Sequence, residues 1–572
     1  MEKSKREICR QESVAKLVVQ TTVLMSMASG TAHAFELNLS PDWAAHWDNT
    51  ISYNLGIRAQ GINPNIGNNP LTSESDYKFA HAGDVVTNKV SNLTEFDAVY
   101  KDRYGFRVSA SMFKDFAFGS GVSNNPGEAA PGVPYSILNS YANNRFSSYT
   151  ERYYSQGIQL LDAFAFGRFD VGGHNTTIKF GQLTQFWGNA LFFGTQGIDY
   201  SQNASDGIKG SGQPGTQAKE LALPRFQALL TTEITPALSV EGQYFLRSAQ
   251  NLLPEGGTYL GTEGFLFSGP QYLLGSIPHG GDIRPSNTNP NFGIKTTWSP
   301  DWLRGSVSLY YRRLDETQPW VLFGQNPQTG ATNYHLSYAT NVHLYGVSLE
   351  KQIGDYSTGF EISYREHTGL NSVTGPGPGD PQGTQGARGN VLNVIGNVVA
   401  GLTPTPLWQT GTITAEMSGT HLTSVTSNPS LYNGTNNAAA CPSGNKWSGC
   451  STTNSVMVAA QFDPTWLQVY PGVDLDMPIF AMYGLYGNTP SLGAPVSQGS
   501  LVYTIGLHAL VQNKYNVTLQ YNGYHAHTSG GLTNFGNVPV GTPGFPSYYA
   551  GGNGAFFYND KPWVSLTMQM SF

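Results

Sequence analysis

In one segment after another of this chain, apolar residues recur at every second position. "GFRVSASMF" sets Phe106, Val108, Ala110 and Met112 against Arg107, Ser109 and Ser111. "ALSVEGQYFLR", "GFEISYRE" and "YNVTLQYNGY" repeat the pattern, as does the C-terminal "KPWVSLTMQMSF". A strand sends alternate side chains to opposite faces, whereas a helix would need a period near 3.6. These segments therefore predict half-exposed strands, oily on one face and mostly polar on the other.

The connections narrow the architecture further. Short turns such as "VGGHN", "TPAL" and "IGDY" alternate with long stretches rich in Gly, Asn, Pro and Ser. The long connections lie near 60–88, 118–156, 188–222, 251–290, 317–335, 370–388, 427–453, 488–499 and 529–553. Nine long and eight short connections predict an all-β fold, a transmembrane antiparallel β-barrel of about 18 strands (range about 16 to 20). Short turns would face the periplasm and long loops the exterior, with some loops folded into the lumen. Aromatic residues near strand ends, including Tyr100, Trp298, Trp302, Trp466 and Trp563, suit an interfacial girdle.

Composition agrees with a barrel. Charged residues make up 12% of the chain, where a water-soluble protein carries about 25%. Mean hydropathy is -0.28, and beyond the first 40 residues no apolar run approaches the ~18 residues of a membrane helix. The N-terminus carries Lys3, Lys5, Arg6, Arg10 and Lys16, then a modestly apolar stretch, then Ala32 and Ala34 in an A-x-A site. That order predicts a signal peptide over residues 1–34 and a barrel over 35–572. Removing five of 31 Lys/Arg and three of 38 Asp/Glu leaves a net charge of -9, which does not suit a nucleic-acid partner. Cys441 and Cys450, in an exported loop, are expected to form a disulfide.

No hydrolase elbow, zinc-protease motif or phosphate loop is present, and neither an enzymatic activity nor a cofactor or metal site is expected. His525 and His527 share a strand face but lack a third ligand, while His343, His367 and His508 sit on strand candidates beside hydroxyls. The expected lumen is polar and mixed in sign, with Glu95, Asp97, Arg107, Glu241, Arg247, Lys295, Arg312, Glu350, Glu361 and Arg365. Neither a basic ladder nor a ring of one sign is present to select ions. Two long loops are unusually oily. One holds Trp187, Phe192 and Phe193, the other Phe265, Phe267 and Tyr272. These are the candidate gate or ligand residues, since exposed loops seldom carry such clusters unless they pack inward or bind apolar material.

The stretch 181–227 has Gly181-Gln182, Trp187-Gly188, Asp199, Pro214-Gly215, Lys219-Glu220 and Leu223-Pro224 in order. With "WDNTISYNLGIR" and residues 83–113, it resembles domain-of-unknown-function family 1302 over essentially the mature chain. Where that family commonly has Gly-Glu after the tryptophan, this chain has Gly188-Asn189. The resemblance implies a Gram-negative outer-membrane barrel that takes up or handles lipid-like or aromatic compounds.

The resulting expectation is a monomeric outer-membrane channel for passive uptake of small hydrophobic or amphipathic solutes. The alternatives are a general or solute-specific porin, the barrel of a lipid-trafficking system with a periplasmic lipid-handling partner, and an outer-membrane lipid hydrolase. Expected partners are outer-membrane lipid, the solute and the barrel-assembly machinery. A terminal Phe572 behind alternating apolar residues resembles the signal that machinery reads.

Overall fold

The computed structural model describes residues 35–37 and 40–572, so the signal peptide expected over 1–34 lies outside the described residues. The barrel begins with β1 (Trp43–Arg58), β2 (Val85–Tyr100), β3 (Tyr104–Asp115), β4 (Gln156–Val171), β5 (His174–Leu183) and β6 (Arg225–Thr235). It continues through β7 (Leu238–Phe245), β8 (Asn291–Trp298), β9 (Gly305–Leu314), β10 (Val342–Ile353), β11 (Tyr356–Gly369) and β12 (Arg388–Gly401). Six more strands complete it: β13 (Thr410–Ser427), β14 (Asn454–Tyr470), β15 (Val473–Asp476 and Ile479–Tyr486), β16 (Leu501–Val511), β17 (Tyr515–His525) and β18 (Trp563–Ser571). Each pairs antiparallel with its neighbours, and β18 pairs with both β17 and β1, placing Leu566 opposite Leu519 and Leu55. Eighteen strands thus close on themselves, and the sheet has no free edge.

Long and short connections segregate to opposite ends, as the sequence predicts. A two-residue turn at Gly172-Gly173 has φ of +64° and +83°. Positive φ at both central positions gives the hairpin a twist that matches its strands, and glycine reaches it without steric cost. Tyr104, Phe106, Val108 and Met112 are exposed on the outer wall of β3, while Ser109 and Ser111 are buried inside. The same split runs along β18, with Ser565 and Thr567 inward and Val564, Leu566 and Met568 outward. An apolar belt around a closed sheet is stable against hydrocarbon, because every backbone group of the wall is already paired.

Trp298 and Trp302 pack edge to face at 5.7 Å beside the short turns, and Trp302 is 72% exposed. They fit a girdle. Trp563 does not: it opens β18 just after a long loop, faces inward and is 1% exposed. It falls on the inward parity of its strand, and the loops that cap the barrel cover it.

The interior is filled by loops. Residues 184–224 fold into the lumen. Long-loop segments that include 59–84, 116–155, 246–290 and 526–562 build a cap, in which Phe79, Phe118, Tyr141, Phe146, Tyr259, Leu260 and Trp563 form one apolar cluster. Cys441 and Cys450 are joined within loop 428–453, their Cα atoms 6.0 Å apart.

Candidate functional site

The charged residues of the inner wall are consumed largely in holding loop 184–224. Glu361 accepts the backbone N–H groups of Asn189 (2.7 Å) and Ile198 (2.9 Å). Glu416 accepts those of Leu191, Phe192 and Phe193 at 2.6, 2.8 and 2.7 Å. Glu241 takes Gln185 Nε2 at 3.1 Å and the indole N–H of Trp187. Arginines hold the carbonyls. Arg312 donates to Ile198 O (2.7 Å) and Tyr200 O (2.8 Å), and Arg365 donates to Thr195 O (3.2 Å) while lying 4.0 Å from the Tyr200 ring. A loop that enters the barrel leaves its sheet partners behind, so its polar backbone needs these acceptors and donors.

The second half of the loop is held by the opposite wall. Lys219 pairs with Glu95, which also pairs with Arg107, and Arg107 reaches Asp162 at 3.3 Å. Lys209 pairs with Glu220 at 3.3 Å, and the Glu220 carboxylate also accepts Ser111 Oγ. Asn54 and Thr567 both donate to Pro214 O, and Gln569 donates to Gly215 O, so the loop spans the lumen to β1 and β18.

Most of the charged residues expected in the lumen do face it, but as clamps rather than as a free polar lining. Asp97 is half-buried near the short-turn end of β2. Arg247 departs from the expectation. β7 ends at Phe245, so strand alternation no longer sets its direction, and it is exposed against the Phe226 ring at 5.2 Å. Glu350 is likewise exposed. The sequence reading missed Glu416, Arg225, Lys89 and Lys209. Glu416 was legible in principle as a lone acid on the inward parity of "ITAEMSG". Arg225, which donates to Ser201 O and Gln202 O, sits at a strand start where parity says little.

The two oily loops pack separately. Trp187 is 1% exposed among Ile198, Tyr200 and Tyr310, and Phe193 is fully buried among Ile395, Met457 and Ala459. Phe192 packs tilted against Phe480 at 5.4 Å, beside Met482 and Val502, and Leu191 is 50% exposed next to it. Phe265, Leu273 and Tyr334 form a different cluster in the cap, with Phe265 and Tyr334 edge to face at 5.5 Å. Phe267 and Tyr272 are half-buried there. The six gate candidates therefore do not form one site.

Between cap and inward loop lies a small pocket walled by Phe118, Tyr154, Ile208, Tyr259, Leu260 and Trp563, with Lys89 and Asp115 also in its lining. A second small pocket adjoins it, and Lys89 and Ile208 line both. On the far side, inward-facing Gln461, Phe480, Met482, Val502, Thr504 and Thr518 of β14–β17 are only half-buried. Among the described residues, no hydrogen bond ties loop 184–224 to these four strands. The loop is thus fixed on most of the wall and merely leans on the rest through apolar contact.

A family model described as "Protein of unknown function (DUF1302)" matches residues 15–572. The chain belongs to that family. No curated protein matches it. Among solved structures, this family member is similar to Pseudomonas aeruginosa OpdK with vanillate, at 10% identity and a TM-score of 0.41, covering 92% of this chain and 98% of that one. It is also similar to Acinetobacter baumannii OccAB1, at 10% identity and a TM-score of 0.42, covering 95% and 99%. A BenF-like porin from Pseudomonas fluorescens Pf-5 has 9% identity and a TM-score of 0.39, covering 93% and 98%.

The histidines of this family member are dispersed. His343 faces outward and shares a 2.9 Å hydrogen bond with the Tyr311 hydroxyl. His367 is exposed, in a left-handed conformation at a bulge of β11. His508 lies between Asp476 (2.6 Å) and Asn516 (3.1 Å), so both ring nitrogens are occupied and neither meets a hydroxyl. His527 packs on Trp447 at 4.9 Å, and no group of three or more metal-ligating side chains is found among the described residues.

Proposed function

We propose that the protein is an outer-membrane channel for passive entry of small hydrophobic or amphipathic molecules. The supporting observations are the aromatic-lined pocket between cap and inward loop and, on the far side, the apolar surface of Leu191, Phe192, Phe480, Met482 and Val502. A solute would be captured above the loop and leave along β14–β17, where the loop is not fastened. Burial of apolar area stabilises such a solute by roughly 25 cal/mol per Å², and the half-exposed polar wall below favours its release. Long loops would face the exterior and short turns the periplasm, and the C-terminal strand would be the element read by the barrel-assembly machinery.

The test is uptake into proteoliposomes. Entry of neutral aromatic solutes such as benzamide well above protein-free vesicles supports the reading. Vesicles that admit sugars and benzamide alike, in proportion to size alone, would favour a general diffusion pore. Vesicles that stay closed to both would overturn the channel.

A further inference from the structure

A roomier cleft opens at the loop end of the barrel. It has a volume of ≈ 510 Å³ and lies between the loop ends of β13 and β14 and loop 428–453. Leu422 continues the inward parity of Glu416, Ser418 and Thr420 on β13, so the floor of the cleft belongs to the inner side of the wall. Leu422, Val425 and Ala439 supply apolar surface, and Tyr432 stands beside them. The cleft adjoins the strands on which loop 184–224 only leans.

None of the lining residues is charged. Around the apolar floor stand Ser430, Thr435, Asn436 and Thr453, whose side chains hydrogen-bond to no other described residue. Tyr432 is 9% exposed, and its hydroxyl has no partner among the described residues. A buried hydroxyl without a partner is destabilising, and a polar group brought in by a ligand would relieve it. The cleft is also held in shape by the protein itself. Asn437 Nδ2 donates to Pro429 O at 2.9 Å and to Tyr432 O at 2.7 Å. Leu431 and Tyr432 pack on Leu370, Ala387 and Val391, and the disulfide between Cys441 and Cys450 ties the returning limb. A preformed site loses little conformational freedom when it is filled.

We propose that this cleft binds neutral, polyhydroxylated amphiphiles of the aryl glycoside kind, with the oily part on Leu422, Val425 and Ala439 and the hydroxyls on Ser430, Thr435, Asn436 and Thr453. The inference rests on the channel reading and names a solute class captured at its mouth. Ligand pockets run from roughly 300 to 1,000 Å³ and combine apolar surface with a few placed polar groups. Hydroxyl and amide side chains both donate and accept, so they match sugar hydroxyls in either sense. An anionic analogue would leave water without meeting a counter-charge, and burying an unpaired charge costs far more than burying a hydroxyl. The uncharged lining thus separates neutral from charged solutes.

The experiment is calorimetric titration of the full barrel in dodecyl-dimethylamine oxide, a detergent without sugar. The ligands are phenyl β-glucoside and its anionic analogue phenyl β-glucuronide, and proteoliposome uptake of the glucoside is measured beside them. The parent is expected to bind the glucoside saturably, and the glucuronide about tenfold more weakly or worse. Ala439→Trp fills the cleft from an exposed position and should weaken the glucoside by about tenfold or more. Ala438→Trp, exposed on the same loop but outside the lining, should change it by less than about twofold. Thr435→Val combined with Asn436→Leu removes two polar partners and should weaken the glucoside by about tenfold. No saturable binding in the parent, equal binding of glucoside and glucuronide, or parent-like binding by Ala439→Trp overturns the inference. Vesicles closed to a glucoside that the barrel still binds in detergent remove the channel and leave the cleft. Vesicles that admit the glucoside although the barrel does not bind it remove the cleft and leave the channel.

Discussion

The Glu416 carboxylate accepts the backbone N–H of Phe193 at 2.7 Å across 223 residues of sequence, and the same carboxylate holds Phe192 and Leu191. One acidic side chain on β13 therefore sets where the apolar turn of the inward loop sits. Charge-assisted hydrogen bonds of this kind are stronger than neutral ones, and losing the acceptor strands three donors at once, that of Phe193 buried.

Glu416→Ala should free the 191–193 segment from the wall while Glu361 still holds Asn189 and Ile198. The expected outcome in planar bilayers is a larger and noisier single-channel conductance, by about twofold or more if the donors go unsatisfied. A conductance identical to the parent would show that the loop is fixed by its other anchors alone.

Trp187 is enclosed by Ile198, Tyr200 and Tyr310 and bonded to Glu241, so its removal leaves a cavity and takes one donor from a carboxylate that keeps Gln185 and Thr231. Trp187→Ala should lower the stability of the folded barrel by about 3–5 kcal/mol, the usual range for a buried large aromatic. The shift of the heat-modifiability midpoint on gels measures it. Trp187→Phe should recover part of the loss through packing but not the indole hydrogen bond.

Two cap carboxyls make the cap sensitive to pH. Burial pushes Glu255 up from 4.5 to about 8, against backbone N–H groups of Gly269 and Ser268 that pull it down. Glu74, buried beside Ser140 N, is pushed up to about 7. In the folded cap both bind a proton that the unfolded chain releases near 4.5. Their contribution to stability is therefore complete below that value and is lost as pH rises through 7 to 8. Hydrogen exchange over 139–141 and 256–269, corrected for intrinsic rates, should be slower at pH 5.5 than at pH 8.5. Glu255→Gln should remove most of the difference, and faster exchange at the lower pH would contradict it.

Phe572 and Asn49 exchange both backbone hydrogen bonds at 2.9 Å, just past the end of the closing pair of strands. Deleting Phe572 removes that pair and the terminal aromatic. The amount of folded barrel recovered from outer membranes should fall several-fold, while refolding of the purified chain in detergent should be affected far less. Equal losses in the two settings would assign the effect to the strand pairing rather than to recognition in the cell.

The sequence alone determined the wall. Alternation in "GFRVSASMF" and "KPWVSLTMQMSF" assigned the faces of β3 and β18, because a strand's period of two is a local property that backbone geometry imposes. Long and short connections gave the strand number for the same reason. What lies inside the wall was decided only by tertiary structure. Nothing local to Glu416 says that it meets Phe193. Trp563 sits inward by strand parity, but its burial comes from the cap, and Arg247 left the lumen because its strand stops two residues earlier. Those outcomes depend on where loop 184–224 and the cap loops settle, and long loops rich in Gly, Pro and Asn carry little local preference of their own. Their positions are set by buried carboxylates and arginines that seek partners once the barrel has closed around them.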